Sequence, residues 1–181
     1  MSVKTTLNYS PNFNIKKRGQ NKIKFIILHY TGMKTESAAL KRLTDTKSKV
    51  SAHYFIKKNG EITTLVPDLY IAWHAGKSYW KKYNNLNKNS IGIEITNPGH
   101  NIKYEKFSKA QIESLIKLCK FLISKYNVKL KNILGHSDIA PYRKKDPGEK
   151  FPWKLMYKKK ISIWHKLNHI ISIKNRNVEI N

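Results

Sequence analysis

The chain has 181 residues, 40% of them hydrophobic and 11% aromatic, which is the composition of one compact globular domain and excludes a disordered protein. Lys and Arg outnumber Asp and Glu by 36 to 11, a formal net charge of +25, and the single cysteine, Cys119, excludes an internal disulfide. No apolar run approaches the roughly 20 residues that span a bilayer and no apolar signal core precedes the domain, so we expect a cytoplasmic protein, or a periplasmic one if a leader was removed.

The first clear element is a buried strand. Residues 23–28 read IKFIIL, an apolar and β-branched run that predicts a central strand with His29 at its C-terminal end. Residues 36–47 then show the spacing of a short amphipathic helix.

A hairpin and a loop-rich stretch follow. Residues 51–56 and 61–66 flank Asn59-Gly60, a pair that favours a tight turn between antiparallel strands. Residues 67–89 lack a regular pattern and contain WHAG, which begins at Trp73.

The next strand carries a carboxylate. Residues 90–96 read SIGIEIT, an alternating pattern in which Ile91, Ile93 and Ile95 share one face and Glu94 lies on the other. If that second face is open to water, Glu94 is an ordinary exposed residue. If helices or loops cover it, Glu94 is a carboxylate at a partly dry site and can act as a general base.

The rest of the chain predicts a helix, a short strand and a long loop. Ser108 and Gln111 form a capping box, and an apolar stripe at helical spacing follows them. Residues 133–134 predict a short strand, and residues 135–153 a long loop. The stretch from 154 onwards is basic and predicts an amphipathic helix whose apolar positions are Ile161, Trp164, Leu167 and Ile171.

Strands and helices therefore alternate, with one hairpin among them. This order predicts a mixed α/β (α+β) fold in which helices flank a central mixed β-sheet. We expect residues 1–153 to form the domain. Residues 154–181 are expected to form a basic, helical C-terminal tail that packs on the domain or extends it.

Three residues have the chemistry of a metal site. His29 ends a strand, where ligands gather in such sheets, and imidazole is a common zinc ligand, although a structural histidine fits the same position. Residues 135–148 contain His136 and, ten positions on, Asp146, which precedes Pro147. Two histidines and one carboxylate leave one zinc position open, as in catalytic sites. The alternative is a basic loop with an isolated Asp.

A lysine accompanies the carboxylate in this loop. A residue before proline favours extended geometry, in which Lys144 and Asp146 point to the same side. Asp146 could then bind a metal while Lys144 offers positive charge to an oxyanion.

Five ordered segments resemble the N-acetylmuramoyl-L-alanine amidase family that includes AmpD, AmiD and the peptidoglycan-recognition proteins. They read FIILHYTG, SAHYFIKKNGEI, AWHAGKSYW, LNKNSIGIEITNPG and GHSDIAPYRKKDPGEKFPW, and extend roughly from Ile23 to Trp153. The resemblance implies a peptidoglycan-recognition-protein/AmpD-like amidase fold over the 1–153 domain. It also implies zinc-dependent hydrolysis of the amide between the muramic acid lactyl group and L-alanine of the stem peptide, in cell-wall turnover or muropeptide recycling.

The resemblance also implies roles for individual residues. It assigns zinc ligation to His29, His136 and Asp146, the catalytic base to Glu94 and oxyanion stabilisation to Lys144. Ala52 stands where the phage lysozyme and animal recognition branches have a Tyr, and Asp146 stands where they have a Cys ligand. Both departures favour the AmpD/AmiD branch.

Other side chains are predicted to line a substrate groove. Aromatic faces suit sugar rings, amide and imidazole groups suit peptides and hydroxyls, and a guanidinium suits a substrate carboxylate. The residues with these groups are Trp73, Trp80, His74, Asn89 and Arg143. Packing beneath a long loop fits Trp73 and Trp80 equally well. His53 is predicted to be a structural hydrogen-bonding residue and not a ligand.

Two other function classes fit parts of this sequence. A non-catalytic peptidoglycan-binding module would usually lack a ligand, whereas this chain retains all three. The charge of +25 could indicate a nucleic-acid binder, but the lysines are spread along the chain, as an AT-rich coding bias produces, and no base-reading motif is visible. We therefore predict a peptidoglycan or anhydro-muropeptide substrate, no nucleic-acid partner, no transmembrane segment, and a monomer.

Overall fold

The computed structural model of the protein describes residues 3–164. The strands in this part are β1 Thr6–Leu7, β2 Phe13–Asn14, β3 Phe25–Tyr30, β4 Tyr54–Ile56, β5 Ile62–Thr64, β6 Ile71–Ala72, β7 Tyr79–Trp80, β8 Tyr83–Asn84, β9 Ser90–Ile95 and β10 Ile133–Gly135. The α-helices are α1 Glu36–Thr44, α2 Lys109–Tyr126, α3 His136–Ile139 and α4 Trp153–Lys158. Within residues 3–164, no helix has the length and apolar character needed to cross a membrane.

The central feature is a six-stranded mixed sheet with the order β1-β5-β4-β9-β3-β10. Strands β4, β9, β3 and β10 run parallel, whereas β5 is antiparallel to β4 and β1 is parallel to β5. The predicted mixed sheet is therefore confirmed, and so is the hairpin, in which β4 pairs with β5 across Gly60 at φ +86. The carboxyl ends of the two central strands, β3 and β9, lie side by side.

The two faces of the sheet are both covered. One face carries Ile26 and Leu28 of β3 with the three isoleucines of β9, and these pack in one core cluster with the apolar stripe of α2. The opposite face carries Phe25 and Ile27, which pack with Leu134 and with parts of the loops. Because adjacent residues of a strand face opposite ways, His29 and Glu94 lie on the face opposite α2.

Helix α2 follows the predicted pattern closely. The Ser108 hydroxyl accepts from the Gln111 N–H, and the Gln111 side chain accepts from the Ser108 N–H, which completes the predicted capping box. Helix α1 also forms, but it ends at Thr44 and not at residue 47 because Asp45 turns to an extended conformation.

The C-terminal end of the described chain differs in part from expectation. Helix α4 buries Met156, and Ile161 is fully buried in the same core cluster, so packing continues beyond the predicted domain end at 153. Residues 154–158 of the predicted tail lie in α4, whereas residues 161–164 are not helical. Leu167, Ile171 and the rest of that prediction lie outside the described residues. The division at 153/154 stays a prediction.

Candidate metal centre and catalytic pocket

Two strand ends and one loop bring the candidate site together. His29 lies one residue before the end of β3, His136 opens α3 directly after β10, and β3 pairs with β10 in parallel. Asp146 lies in the loop after α3, where the Ser137 N–H donates to its carbonyl at 2.9 Å. The bond between Asp146 and Pro147 is cis.

The three predicted ligands converge. His29 Nδ1 lies 2.9 Å from His136 Nδ1 and 3.0 Å from Asp146 Oδ2, and His136 Nδ1 lies 3.1 Å from the same oxygen. All three side chains are buried, and they form a cluster that could hold a metal ion. Ligands of one tetrahedral zinc ion lie about 3.3 Å apart, so small outward shifts would admit the ion.

The hydrogen-bonding chemistry of this cluster favours a cation. His136 Nε2 lies 3.1 Å from the Ala75 carbonyl, which can only accept, so Nε2 carries an N–H. In the tautomer that has its one N–H at Nε2, His136 has a lone pair at Nδ1, so Nδ1 and Asp146 Oδ2 are two acceptors 3.1 Å apart with no proton between them. Such a pair is repulsive unless a cation lies beside it, so this set of donor atoms fits a divalent metal ion.

The protonation states agree with this arrangement. Burial, and next the neighbouring His136, lower the pKa of His29 to about 4, so the ring is neutral at physiological pH. Neutral imidazoles and an ionised carboxylate are the forms that bind zinc.

Glu94 occupies the wall of the same pocket. Loops cover its face of the sheet, which decides the alternative left open by the sequence, since Glu94 is mostly buried and its Oε2 has no hydrogen-bond partner among residues 3–164. Burial, and next the charge of Asp146, raise the pKa of Glu94 well above its usual value, whereas Lys144 opposes the shift. The carboxyl is thus poised to hold a proton in a partly dry site.

The pocket is a cavity of about 510 Å³. The predicted metal ligands line it together with Glu94, Lys144, Trp73, His74 and Arg143. The structure therefore brings together eight of the ten predicted site residues, all but Trp80 and Asn89.

Two of the predicted substrate-binding residues have other positions or partners. Asn89 precedes β9, at the opposite end of that strand from Glu94, and its side-chain amide donates to the Lys22 carbonyl at 3.2 Å. Five residues of strand separate Asn89 from Glu94, about 16 Å, so Asn89 lies outside this pocket and its assignment to the substrate groove stays a prediction. His74 lies at the pocket but is buried, with Nδ1 3.0 Å from His29 Nε2 and Nε2 3.0 Å from Ser90 Oγ. Both of its ring nitrogens therefore have protein partners and are not available to a substrate.

The other aromatic and basic candidates differ in their surroundings. Trp73 lines the pocket while its Nε1 donates to Asn14 Oδ1 at 2.7 Å. The Arg143 guanidinium donates to the carbonyls of Ala75 and Lys77, which ties its loop to the WHAG segment. Trp80 packs on the cluster around Phe25, as the packing alternative predicted.

His53 has the structural role that the sequence predicted. Its Nδ1 accepts from the Gly92 N–H at 3.0 Å, and its Nε2 donates to the Tyr70 carbonyl at 3.1 Å. Burial, and next Arg18, lower its pKa to about 3. This histidine is therefore neutral and is held within the sheet, away from the metal cluster.

Three residues that support the site were not identified from the sequence. Asn87 Oδ1 accepts from the N–H groups of His74 and Ala75, Ser90 contacts His74, and Gly92 makes room for the His74 ring. The alternation of β9 places Ser90 and Gly92 on the same face as Glu94, and this pattern in the sequence could have identified both as neighbours of the site.

Comparison with known proteins agrees with this geometry. A family model described as N-acetylmuramoyl-L-alanine amidase, Amidase_2, matches residues 19–149. The N-acetylmuramoyl-L-alanine amidase AmiD of Escherichia coli (strain K12) is 42% identical over 155 residues, which are 79% of this chain and 55% of AmiD. The 1,6-anhydro-N-acetylmuramyl-L-alanine amidase AmpD of Enterobacter cloacae is 40% identical over 104 residues, which are 58% of this chain and 54% of AmpD.

Solved structures show the same similarity. The structure of E. coli AmiD with the substrate anhydro-N-acetylmuramic acid-L-Ala-D-γ-Glu-L-Lys has a TM-score of 0.74 and 39% identity, and the match covers 79% of this chain and 59% of that one. The predicted fold class is thereby confirmed. The chain spans about half the length of the curated relatives reported above.

Proposed function

The chain belongs to the N-acetylmuramoyl-L-alanine amidase family, and from that membership we propose that it hydrolyses the amide bond between the muramic acid lactyl group and L-alanine of the peptidoglycan stem peptide. The observation that carries the proposal is the convergence of His29, His136 and Asp146 beside Glu94 in one pocket. All these residues come from a single chain, so the proposed site is complete in a monomer.

In this proposal His29 Nδ1, His136 Nδ1 and Asp146 Oδ2 bind Zn²⁺. The donor set of two imidazoles and one carboxylate supports zinc and leaves a coordination position open. A zinc ion held there would lower the pKa of water and polarise the scissile carbonyl.

The protein's own groups carry the proton and the charge. The Glu94 carboxylate takes a proton from the attacking water and returns it to the departing alanine nitrogen. A raised pKa suits this double role, because the group must both accept and release a proton near neutral pH. Lys144 faces the same pocket and places positive charge beside the carbonyl oxygen as negative charge develops on it.

The remaining pocket residues position the substrate. Trp73 offers an aromatic face at the pocket wall. The exposed edge of Arg143, whose other donors hold the WHAG segment, would pair with a carboxylate of the stem peptide. A muropeptide supplies both the sugar and the carboxylates for these contacts, and the ligand named for the AmiD structure is of that kind.

The proposal is tested with two substrates in parallel. The protein is incubated with a soluble anhydro-muropeptide and with purified sacculi, and the products are identified by mass spectrometry. We expect stem peptides with a free L-alanine amino group, loss of their release after chelation, and recovery on adding zinc. Binding to sacculi without release of peptide from either substrate would instead support the non-catalytic binding module.

The same comparison tests where the protein acts. A protein in the cytoplasm meets soluble fragments and not sacculi. Faster cleavage of the soluble anhydro-muropeptide would therefore support the predicted cytoplasmic location and a role in muropeptide recycling. Faster release from sacculi would contradict that location.

A further inference from the structure

The proposed zinc site rests on two histidines, and both must present Nδ1 without its proton. We propose that His74 is a positioning residue that fixes the tautomer of His29, through a hydrogen-bond chain that begins at a backbone carbonyl. This inference depends on the proposed metal site and adds a role that neither substrate binding nor catalysis explains. This hydrogen-bond chain runs from the Leu86 carbonyl through Ser90 and His74 to His29.

The direction of each hydrogen bond follows from the bond between Ser90 and the Leu86 carbonyl. The Leu86 carbonyl can only accept, so the Ser90 hydroxyl, 2.6 Å away, donates to it. The Ser90 oxygen then has only lone pairs for His74 Nε2, at 3.0 Å, so that nitrogen donates. A neutral imidazole has one N–H, so His74 Nδ1 accepts from His29 Nε2 at 3.0 Å. His29 Nδ1 is left with a free lone pair that faces Asp146.

The tautomer of the second proposed ligand, His136, is fixed by Ala75, the residue that follows His74. His136 Nε2 donates to the Ala75 carbonyl at 3.1 Å, so His136 also presents Nδ1. Asn87 Oδ1 accepts from the His74 N–H at 3.1 Å and from the Ala75 N–H at 2.7 Å, which holds the two residues in register. His74 and Ala75 therefore keep the proton of each ligand histidine, His29 and His136, on Nε2, the ring nitrogen that points away from the proposed metal.

The packing leaves His74 little freedom. Its ring lies directly on the backbone of Gly92, since a Cβ there would come within 2.3 Å of His74 Cγ. The His29 ring meets it edge to face, with centroids 5.1 Å apart. A hydrogen-bonded ring in such a close-packed site keeps one orientation, and outer partners of this kind typically change metal affinity about 10–100-fold.

Variants of two residues separate hydrogen bonding from packing. His74→Leu fills much of the space but cannot accept from His29, whereas His74→Asn places an amide oxygen near the position of Nδ1. Ser90→Ala removes the bond that orients His74 and is the mildest change. Zinc dissociation constants are measured by competition with a chromophoric chelator, and circular dichroism of each metal-free variant controls for folding.

We expect His74→Leu to weaken zinc binding about 10–100-fold, Ser90→Ala to weaken it less, and His74→Asn to stay within about fivefold of the wild type. A second measurement needs no variant. Long-range ¹⁵N–¹H spectra of the zinc-loaded wild type should show His29 and His136 protonated at Nε2.

The outcomes separate this inference from the proposed function. Zinc binding by His74→Leu within about twofold of the wild type, or a His29 protonated at Nδ1, would overturn the positioning role and leave the amidase proposal intact. A wild-type protein that binds no zinc would overturn both.

Discussion

His29 and Glu94 are register partners on the neighbouring parallel strands β3 and β9. Directly paired residues point to the same face of a sheet, so a metal-binding imidazole and a carboxylate enter one pocket side by side. A one-residue slip in this pairing would direct Glu94 into the packed face beneath α2. The pairing of these two strands therefore places the proposed base beside the proposed metal.

Loss of the Asp146 carboxylate should weaken metal binding most directly. Asp146→Asn removes the anionic ligand, and we expect the zinc dissociation constant to rise about 100-fold or more, beyond the range of outer-partner changes. Isothermal titration calorimetry measures the change. Glu149→Gln is the matched control, because Glu149 lies three residues on, is exposed and contacts His100. Equal zinc affinity in Asp146→Asn and Glu149→Gln would contradict the assignment of Asp146 as a ligand.

Lys144 should affect turnover more than binding. Lys144→Met keeps the length of the side chain but removes its charge, so we expect kcat to fall about 100-fold with KM within about threefold and zinc content unchanged. Steady-state kinetics on a soluble muropeptide test this. The exposed Lys120 of α2 lies outside the pocket, and Lys120→Met should behave as the wild type. A rise in KM with kcat preserved would instead indicate that Lys144 holds the substrate.

The contact between Gly92 and His74 should be sensitive to a single methyl group. Gly92→Ala places a Cβ within 2.3 Å of the His74 ring, so we expect a loss of about 1–3 kcal/mol in the free energy of unfolding. Urea denaturation measures it. Gly19→Ala is the control, because the added Cβ would meet only the side chain of Asn21, and a similar loss there would show that the contact with His74 is not the cause.

Acid should weaken the fold through Asp68, which is remote from the metal cluster. Asp68 accepts hydrogen bonds from Tyr54, Tyr126 and Lys125 at 2.6, 2.6 and 2.9 Å. Burial opposes ionisation, but these bonds outweigh it and lower the pKa of Asp68. A folded-state pKa below the unfolded value of about 3.9 gives stability that is complete above that value and is lost as the pH falls below it.

Asp68→Asn tests whether the stability that Asp68 contributes is lost in acid. Asp68→Asn should lower the free energy of unfolding at pH 7 by about 2–4 kcal/mol, because it weakens hydrogen bonds to a charged group. The difference from the wild type should narrow as the pH falls from 4 towards 2. Urea titrations across that range measure it, and a difference that widens in acid would contradict the lowered pKa.

Much of the site could be predicted because its residues occupy regular elements. The alternation of SIGIEIT gave the face of Glu94, and the end of the apolar strand gave the position of His29. Whether the face of Glu94 was dry depended on loops distant in sequence, which strand periodicity does not report. The ligand set was predicted from the resemblance of five segments and not from spacing, since His29 and His136 lie 107 positions apart.

Two of the predicted groove residues have surroundings that the sequence could not show. Asn89 was predicted for the groove because an amide suits peptide and hydroxyl groups, but it marks the start of β9 while the pocket lies at the strand's end. His74 was predicted to touch substrate because sequence cannot show that Gly92 leaves a space of the right size beneath it. Side-chain contacts between separate elements fix these two roles.

The most direct test of the proposed active site is a paired measurement on Glu94→Gln, which keeps the shape of the side chain but cannot take a proton. Zinc content and release of L-alanine-terminated peptide are determined on the same preparation. We predict one zinc ion per chain, as in the wild type, with turnover reduced at least about 100-fold. Turnover within a fewfold of the wild type would contradict the assignment of Glu94 as the base, and wild-type protein that cleaves muropeptides equally well without metal would contradict the site as a whole.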